Sequence, residues 1–206
     1  EGLSDNNVSK TFQDSKGNIW IGYTNGEVSI LKSNQIININ SDNSIHSDYV
    51  TDIIEVDEKI WIATFGGGIS IIENNKITKL NKSTNFPSDH INSFCKDDNG
   101  NLWIATYGEG LIRCNNSIFY QYKSIHASTD PIIHKIVSDS NTNSIWLYDN
   151  ANNIYNIDNS CNASIINIVN QPLNYSVIDI SFSEQLFVLL DKNRIAKINT
   201  KIIEVA

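Results

Sequence analysis

Histidine and carboxylate side chains are the residues of this sequence best suited to acid–base chemistry. His90 directly follows Asp89, and Glu109 lies in a Gly-rich turn further along the chain. A histidine and a carboxylate that meet in one pocket can exchange protons with a substrate. Nothing in their spacing requires these residues to meet, and a histidine in a solvated loop is the commoner case. We therefore predict no catalytic residue, and an acid–base pair built on His90 stays open as an alternative.

The sequence lacks the patterns typical of zinc sites and phosphate-binding loops. The sequence has neither a His-Glu-x-x-His nor a Cys-x-x-Cys motif, which are typical of zinc sites. The three glycines at 66–68 lack the following Lys-Ser/Thr of a phosphate-binding loop. We expect neither a metal site nor a cofactor.

Aromatic side chains that occur beside carboxylates form a second set of candidates. The apolar face of a sugar stacks on an aromatic ring, and its hydroxyl groups take directed hydrogen bonds from polar neighbours. The predicted ligand-binding residues are Tyr23, Phe65, Tyr107, Tyr148, Asp48, Asp89, His90 and Glu109. In the alternative interpretation, the aromatics pack against neighbouring loops and the Ser-Asp pairs cap turns through side-chain to backbone bonds.

These candidates belong to a repeat that is anchored by one aromatic residue per unit. The anchors are Trp20, Trp61, Trp103, Trp146 and Phe187, with spacings of 41, 42, 43 and 41 residues. The segment GNLWIATYGEGL at 100–111 shows the unit most clearly, and GNIWIGYTNGEV at 17–28 is similar. A period in the low forties with a recurring aromatic is typical of propeller or solenoid arrays. We predict one domain over residues 1–206.

Each repeat has the turn and strand pattern of a four-stranded blade. The second segment of a repeat, such as IWIA at 60–63, is apolar at successive positions, so both of its faces should be buried. We therefore predict an all-β fold, a β-propeller of four-stranded antiparallel blades over about 2–43, 44–84, 85–123, 124–168 and 169–206. The turns between second and third strands should lie on one face and carry the candidate residues. Five blades forming a ring and five blades of a larger propeller both stay open.

The first strand of each blade carries a polar residue at one shared position. These residues are Lys10, Asp52, Ser93, Lys135 and Asp179. In a propeller the first strands line the central channel, so we expect a polar ring in which opposite charges compensate one another. A ligand or ion site at this ring is the alternative.

Composition and charge exclude several classes of partner. Hydrophobic residues make up 40% and charged residues 18% of the chain, which is typical of a globular domain. The net charge is −8 and only two arginines occur, so we expect no nucleic-acid partner and no binding to an anionic membrane surface. No run of eighteen apolar residues occurs, and a membrane anchor would have to lie outside this sequence. The three cysteines cannot all form intrachain disulfides, and we expect Cys95 and Cys114 to be buried thiols.

The repeats resemble a known family. LSDNNV at 3–8, DSKGNIWIG at 14–22, NGEV at 25–28 and DDNGNLWIATYGEGL at 97–111 are similar to the two-component regulator propeller repeat. The resemblance implies the sensor region of a hybrid two-component regulator of Bacteroidetes-type bacteria, with carbohydrate binding, a periplasmic or extracellular location and a homodimeric state. This sequence differs in having only five repeats and no kinase segment.

The resulting prediction is a non-catalytic sensor or ligand-binding propeller that recognises an oligosaccharide or a protein. Two alternatives belong to other classes. One is a lyase or glycan-cleaving propeller that uses a His–carboxylate pair, and the other is a structural propeller that binds only proteins.

Overall fold

Short β-strands make up almost all of the regular structure. The computed structural model describes residues 2–39, 49–115, 118–122, 132–158, 163–166, 176–190, 194–199 and 202–205. The strands are β1 Val8–Gln13, β2 Ile19–Tyr23, β3 Val28–Lys32, β4 Gln35–Ile39, β5 Val50–Val56, β6 Lys59–Thr64, β7 Ile69–Glu73, β8 Lys76–Leu80, β9 Ile91–Lys96, β10 Leu102–Thr106, β11 Leu111–Asn115, β12 Ile118–Tyr122, β13 Ile133–Asp139, β14 Ser144–Asp149, β15 Ile154–Ile157, β16 Ala163–Ile166, β17 Val177–Phe182, β18 Leu186–Leu190, β19 Arg194–Asn199 and β20 Ile202–Val205. One 3₁₀ turn, Lys82–Thr84, follows β8.

The strands form five four-stranded sheets in which neighbours along the chain are neighbours in space. Sheet 1 contains β1–β4, sheet 2 β5–β8, sheet 3 β9–β12, sheet 4 β13–β16 and sheet 5 β17–β20. The strand pairs described by register are antiparallel, as in β1 with β2 and β6 with β7. This confirms the predicted all-β class with four-stranded antiparallel units. The chain also divides into two compact units, Glu1–Phe94 and Cys95–Ala206, with the boundary inside β9.

Tight hairpins place polar residues, asparagine among them, at positions with positive φ. Ser33-Asn34, Asp57-Glu58 and Asn74-Asn75 are the two-residue turns that join β3 to β4, β5 to β6 and β7 to β8. Both residues of each pair have positive φ, between 49° and 62°. Two-residue turns of this kind match the twist of the flanking strands, and asparagine tolerates positive φ better than most residues. The sequence therefore ends each strand without requiring a glycine at every turn.

Three of the four anchoring tryptophans, Trp20, Trp103 and Trp146, lie in a core shared by two successive sheets of their unit. In the first unit, Trp20 and Val28 cluster with Val50, Ile53 and Ile62. In the second unit, Trp103 clusters with residues of sheet 4, and Trp146 with residues of sheet 5. The second strands β6 and β10 are buried on both faces, as predicted from their uninterrupted apolar segments. Burial on both faces is what a sheet packed between two neighbours requires.

Gly22 marks a close approach between sheets 1 and 2. A Cβ atom at this position would overlap the Cγ1 of Val50 and lie 2.9 Å from its Cβ. We expect Gly22→Ala to lower the free energy of unfolding by about 1–3 kcal/mol, because extra atoms in a packed core force backbone shifts. Urea denaturation measures the change. Gly2→Ala is the control, since a Cβ there meets nothing within 4 Å. Adding Val50→Ala should restore part of the loss, and a double variant no better than Gly22→Ala would contradict this explanation.

The first strands pair opposite charges at the predicted position. Lys10 Nζ lies 2.7 Å from Asp52 Oδ1 in the first unit, and Lys135 Nζ lies 2.6 Å from Asp179 Oδ1 in the second. In each of these four strands the pairing register shifts by one residue just before the charged residue. The shift changes which face of the sheet the charged side chain lies on. The expected compensation of charge is confirmed for these two pairs. A ligand or ion at this position stays a prediction.

Candidate functional site

The connection between β6 and β7 presents an aromatic ring to solvent in the first unit. Phe65 is 40% exposed, and its amide donates to the carbonyl of Tyr49 at 2.9 Å. The amides of Gly66 and Gly68 both donate to the carbonyl of Asp89, at 2.9 and 2.8 Å. Gly68 has φ of 78°, where an L side chain is strained, and a Cβ there would overlap the carbonyl of Leu80. The three-glycine turn therefore fixes Phe65 against the loop that contains Asp89.

His90 and Asp89 complete this cluster in different ways. The imidazole of His90 lies edge-on to Phe65, with ring centroids 4.8 Å apart and an interplanar angle of 72°. The carboxylate of Asp89 accepts from the backbone amide of Lys82 at 2.7 Å. Ser88 Oγ accepts from the amide of His90 and donates to its carbonyl. We call Phe65, Asp89 and His90 the Phe65 cluster. Ser88 and Asp89 bond to backbone groups of their own and a neighbouring turn, as expected if Ser-Asp pairs cap turns.

Tyr107 and Glu109 form the equivalent connection of the second unit, between β10 and β11. Tyr107 is 47% exposed. Thr106 Oγ1 donates to the carbonyl of Gly110 at 2.6 Å and accepts from the amide of Glu109, which shapes the turn. The carboxylate of Glu109 accepts from the side-chain amide of Gln121 at 3.2 Å. This turn thus presents an exposed phenol ring, and it also contains a carboxylate that is bonded to the amide of Gln121.

The expectation that Tyr23 and Tyr148 are exposed is wrong. Tyr23 is fully buried and donates to Ser29 Oγ at 2.9 Å, and Tyr148 is buried and donates to the carbonyl of Ile178 at 2.8 Å. Phe65 and Tyr107 each lie four residues after their tryptophan, but Tyr23 lies three and Tyr148 two residues after theirs. Both tyrosines therefore fall inside the strand, where its side chains are buried. The residues at the position equivalent to Phe65 in sheets 1 and 4 are Thr24 and Asn150.

The predicted ligand-binding residue Asp48 lies outside the described residues.

Two aromatic residues that the sequence did not single out for ligand binding, Tyr49 and His134, also lie at the surface. Tyr49 is exposed and shares a backbone hydrogen bond with Phe65. His134 is exposed and stacks on Tyr148, with centroids 5.4 Å apart. Tyr49 precedes the first core residue of β5, so its position could have been found. The exposure of His134 comes from the register shift in β13, which has no clear sequence signature.

Two buried tyrosines keep their protons well above neutral pH. Burial, assisted by the charge of Asp179, raises the pKa of Tyr148 to about 12. Burial and a 2.7 Å hydrogen bond to the carboxylate of Asp149 raise the pKa of Tyr155 as well. Burial also acts on Asp14, but hydrogen bonds from Trp20 and Asn18 outweigh it and lower the pKa of that carboxyl. The tyrosines are therefore hydrogen-bond donors in the core, and Asp14 is an ionised acceptor.

Neither a metal cluster nor a membrane-spanning helix is found among the described residues. Within those ranges, no three His, Cys, Asp or Glu side chains are grouped so that they could hold a metal ion. No helix there is long and apolar enough to cross a membrane.

Comparisons with solved structures identify the fold. The extracellular domain of BT4673 from B. thetaiotaomicron, described as a hybrid two component system, superposes with a TM-score of 0.78 at 17% identity, covering 99% of this chain and 30% of that one. The extracellular domain of BT3049 from the same organism gives 0.66 at 23% identity, covering 100% and 28%. Virginiamycin B lyase from Staphylococcus aureus gives 0.76 at 17% identity, covering 100% and 71%. The chain thus has the propeller fold and spans under a third of the two-component domains.

A family model for the two component regulator propeller matches residues 2–25 and 85–108. No curated protein matches the sequence. The two matched segments contain the turn-and-strand patterns around Trp20 and Trp103 that carry the resemblance. The chain has the β-propeller fold, and its residues 2–25 and 85–108 are two-component regulator propeller repeats.

Proposed function

We propose that this chain is a non-catalytic, extracytoplasmic sensor module of a two-component regulatory system, and that it binds an oligosaccharide at its exposed aromatic turns. The observation that carries the proposal is the pair of exposed rings at equivalent positions, Phe65 and Tyr107, each held by a glycine-containing turn. The matched repeats and the likeness to extracellular two-component domains support the location and the role in signalling. The same resemblance is our reason for including a homodimeric state in the proposal.

The chemistry of the turns favours a sugar over a purely apolar ligand. A ring fixed by backbone hydrogen bonds offers a flat apolar surface at little cost in conformational entropy. Polar groups belong to the same turns and loops as the rings. The imidazole of His90 packs edge-on against Phe65, and Asp89 precedes it in the chain. Glu109, whose carboxylate accepts from Gln121, lies two residues after Tyr107. Such groups accept and donate hydrogen bonds to hydroxyls, which fixes the orientation of a stacked sugar.

A lyase is the second candidate function, because virginiamycin B lyase shares the fold. A lyase needs a base that reaches the substrate and an acid that returns the proton. In the Phe65 cluster the carboxylate of Asp89 already accepts the Lys82 amide, and His90 packs against Phe65. These contacts favour a binding role for the cluster over an acid–base role.

The test is a thermal-shift screen of the chain against neutral, sulfated and uronic-acid oligosaccharides, followed by calorimetry on any ligand that raises the melting temperature. We expect Phe65→Ala to weaken the best ligand about tenfold, which corresponds to about 1.4 kcal/mol. The fold should be retained, because the ring lies at the surface, in the connection between β6 and β7. Ile118→Ala is the matched control, since it also removes an exposed apolar side chain.

Three results would count against the proposal. One is a ligand whose affinity is the same for the chain, for Phe65→Ala and for Tyr107→Ala. Another is turnover of a bound ligand that His90→Gln abolishes while binding persists, which would establish the lyase alternative. The third is the absence of any shift across the whole panel.

A further inference from the structure

A cleft between sheets 1 and 2 lies at the end of these sheets opposite to the Phe65 cluster. Its volume is about 1150 Å³, which is slightly above the usual range for ligand pockets. The cleft opens beside the Asp57-Glu58 and Asn74-Asn75 hairpins, while Phe65 lies at the β6–β7 connection at the other end of sheet 2. It is therefore independent of the function proposed above.

Isoleucine side chains form both walls of the cleft. Sheet 1 contributes Ile30, Ile37 and Ile39, and sheet 2 contributes Ile60, Ile72 and Ile77. Ile37 on the outer strand β4 is 48% exposed, although it points along the same face as the core residues. An aliphatic surface of this size leaves water against side chains that gain free energy when they are covered.

The equivalent position in the second unit is closed, and the sequence shows why. Cross-strand register aligns Trp20, Ile30 and Ile37 of sheet 1 with Trp103, Arg113 and Tyr120 of sheet 3. The guanidinium of Arg113 lies 4.9 Å from the centroid of Tyr120 and 5.8 Å from that of Trp103. The space left between sheets 3 and 4 is only about 10 Å³. The cleft between sheets 1 and 2 is open because Ile30 and Ile37 occupy the positions that Arg113 and Tyr120 fill in the second unit.

The rim of the open cleft carries opposite charges on its two walls. Lys16 and Lys32 lie on sheet 1, and Asp57 and Glu58 lie on sheet 2. These four side-chain charges are exposed, and none of them forms an ion pair with another described residue. Glu73 is paired with Lys59, and the carboxylate of Glu55 accepts from the amide and hydroxyl of Ser15. Asp14 also lines the sheet 1 wall, but its carboxylate is buried and accepts from Lys16, Asn18 and Trp20. The exposed, unpaired charge is therefore positive on one wall and negative on the other.

We propose that this cleft is a docking site for a short extended peptide with an apolar centre and charged flanks of both signs. Alternating leucine or valine side chains would cover the isoleucine walls. Basic flanking residues would lie toward Asp57 and Glu58, and acidic ones toward Lys16 and Lys32.

Synthetic peptides test the proposal directly. The probes are acetylated, amidated heptapeptides with the centre Leu-Val-Leu, flanked by two lysines and two glutamates in either order. The comparison peptides replace the apolar centre by Ser-Thr-Ser or carry four flanking lysines. Calorimetry should show binding of the peptide that carries both lysines and glutamates. One of its two arrangements, lysines first or glutamates first, should bind more tightly than the other. Loss of the apolar centre should weaken binding by about tenfold or more, as expected when several buried apolar side chains are removed.

Two variants connect the binding to the cleft. Ile30→Arg combined with Ile37→Tyr copies the pair that closes the cleft between sheets 3 and 4, and it should abolish binding. Asp57→Asn combined with Glu58→Asn copies the Asn74-Asn75 hairpin, and it should weaken binding a few-fold and reduce its salt dependence. If the first variant fails to fold, Ile37→Ser is the substitute, because this side chain is half-exposed. Ile118→Ser is the control.

The proposal is overturned if the Ser-Thr-Ser peptide binds as well as the apolar one. Unchanged binding by a folded, filled variant would overturn it too. Sedimentation of the chain alone supplies a further outcome. If no peptide binds and the filled variant changes the association state, the cleft is a contact between two copies, and the peptide proposal is wrong.

Discussion

Replacing Asp97 with alanine is expected to lower the free energy of unfolding by about 3–5 kcal/mol, since several buried donors lose their acceptor together. One oxygen of Asp97 accepts from the amides of Asn99 and Asn101, at 3.0 and 2.8 Å. The other accepts from the side chains of Asn101 and Trp103, both at 2.8 Å. The carboxylate is buried, so water cannot replace it without opening the turn. Equilibrium denaturation in urea gives the change.

The control is Asp98→Ala, because Asp98 is exposed in the same turn and should cost less than about 0.5 kcal/mol. Tryptophan substitutions provide a second comparison. Trp61 Nε1 has no hydrogen-bond partner among the described residues, whereas Trp103 Nε1 donates to Asp97. Trp103→Phe should therefore cost more than Trp61→Phe. Equal losses for Asp97→Ala and Asp98→Ala would show that the turn does not depend on the buried carboxylate.

The hydrogen bond between a turn aspartate and the tryptophan that follows it explains why the fold could be predicted from the sequence. Asp14 and Asp97 each lie six residues before a tryptophan and bond it in the same way, at 2.9 and 2.8 Å. This hydrogen bond joins a tight turn to a large core side chain, so the turn and the tryptophan repeat together along the chain. Sheet 2 lacks it because its Asp57-Glu58 hairpin is shorter, and the sequence shows that difference too. Local chemistry of this kind is visible without any tertiary information.

The candidate site was less predictable, because exposure depends on a shift of one or two residues. Phe65 and Tyr23 look equivalent when only the order of aromatic and glycine is considered. Counted from the tryptophans, they differ by one position. Tyr23 is the last residue of β2, where successive side chains are buried, whereas Phe65 is the first residue after β6. The cleft between sheets 1 and 2 was less visible still. It depends on Ile30 and Ile37 facing each other across strands in the place of Arg113 and Tyr120.

Asp52→Ala should be about as destabilising as Asp97→Ala, with an expected loss of about 3–5 kcal/mol, because it leaves a cation and two buried amides without their partner. Asp52 Oδ1 contacts Lys10 Nζ at 2.7 Å and accepts from the amide of Ile53. Its Oδ2 accepts from the amide of Phe94 at 2.8 Å and so joins β5 to β9. Urea denaturation measures the loss. A double-mutant cycle with Lys10→Met separates the ion pair from the two backbone bonds.

Asp179→Ala is the matched control, because Asp179 pairs with Lys135 in the same way and also accepts the amide that follows it. The two sites differ in burial, since the side chain of Asp52 is 10% exposed and that of Asp179 is 46% exposed. Solvent screens the second pair, so Asp179→Ala should cost no more than about 1 kcal/mol. Similar losses at both positions would mean that the charge pairs, which recur along the first strands, stabilise the fold equally. A large loss only at Asp52 would mean that burial and the bond to Phe94 decide the stability.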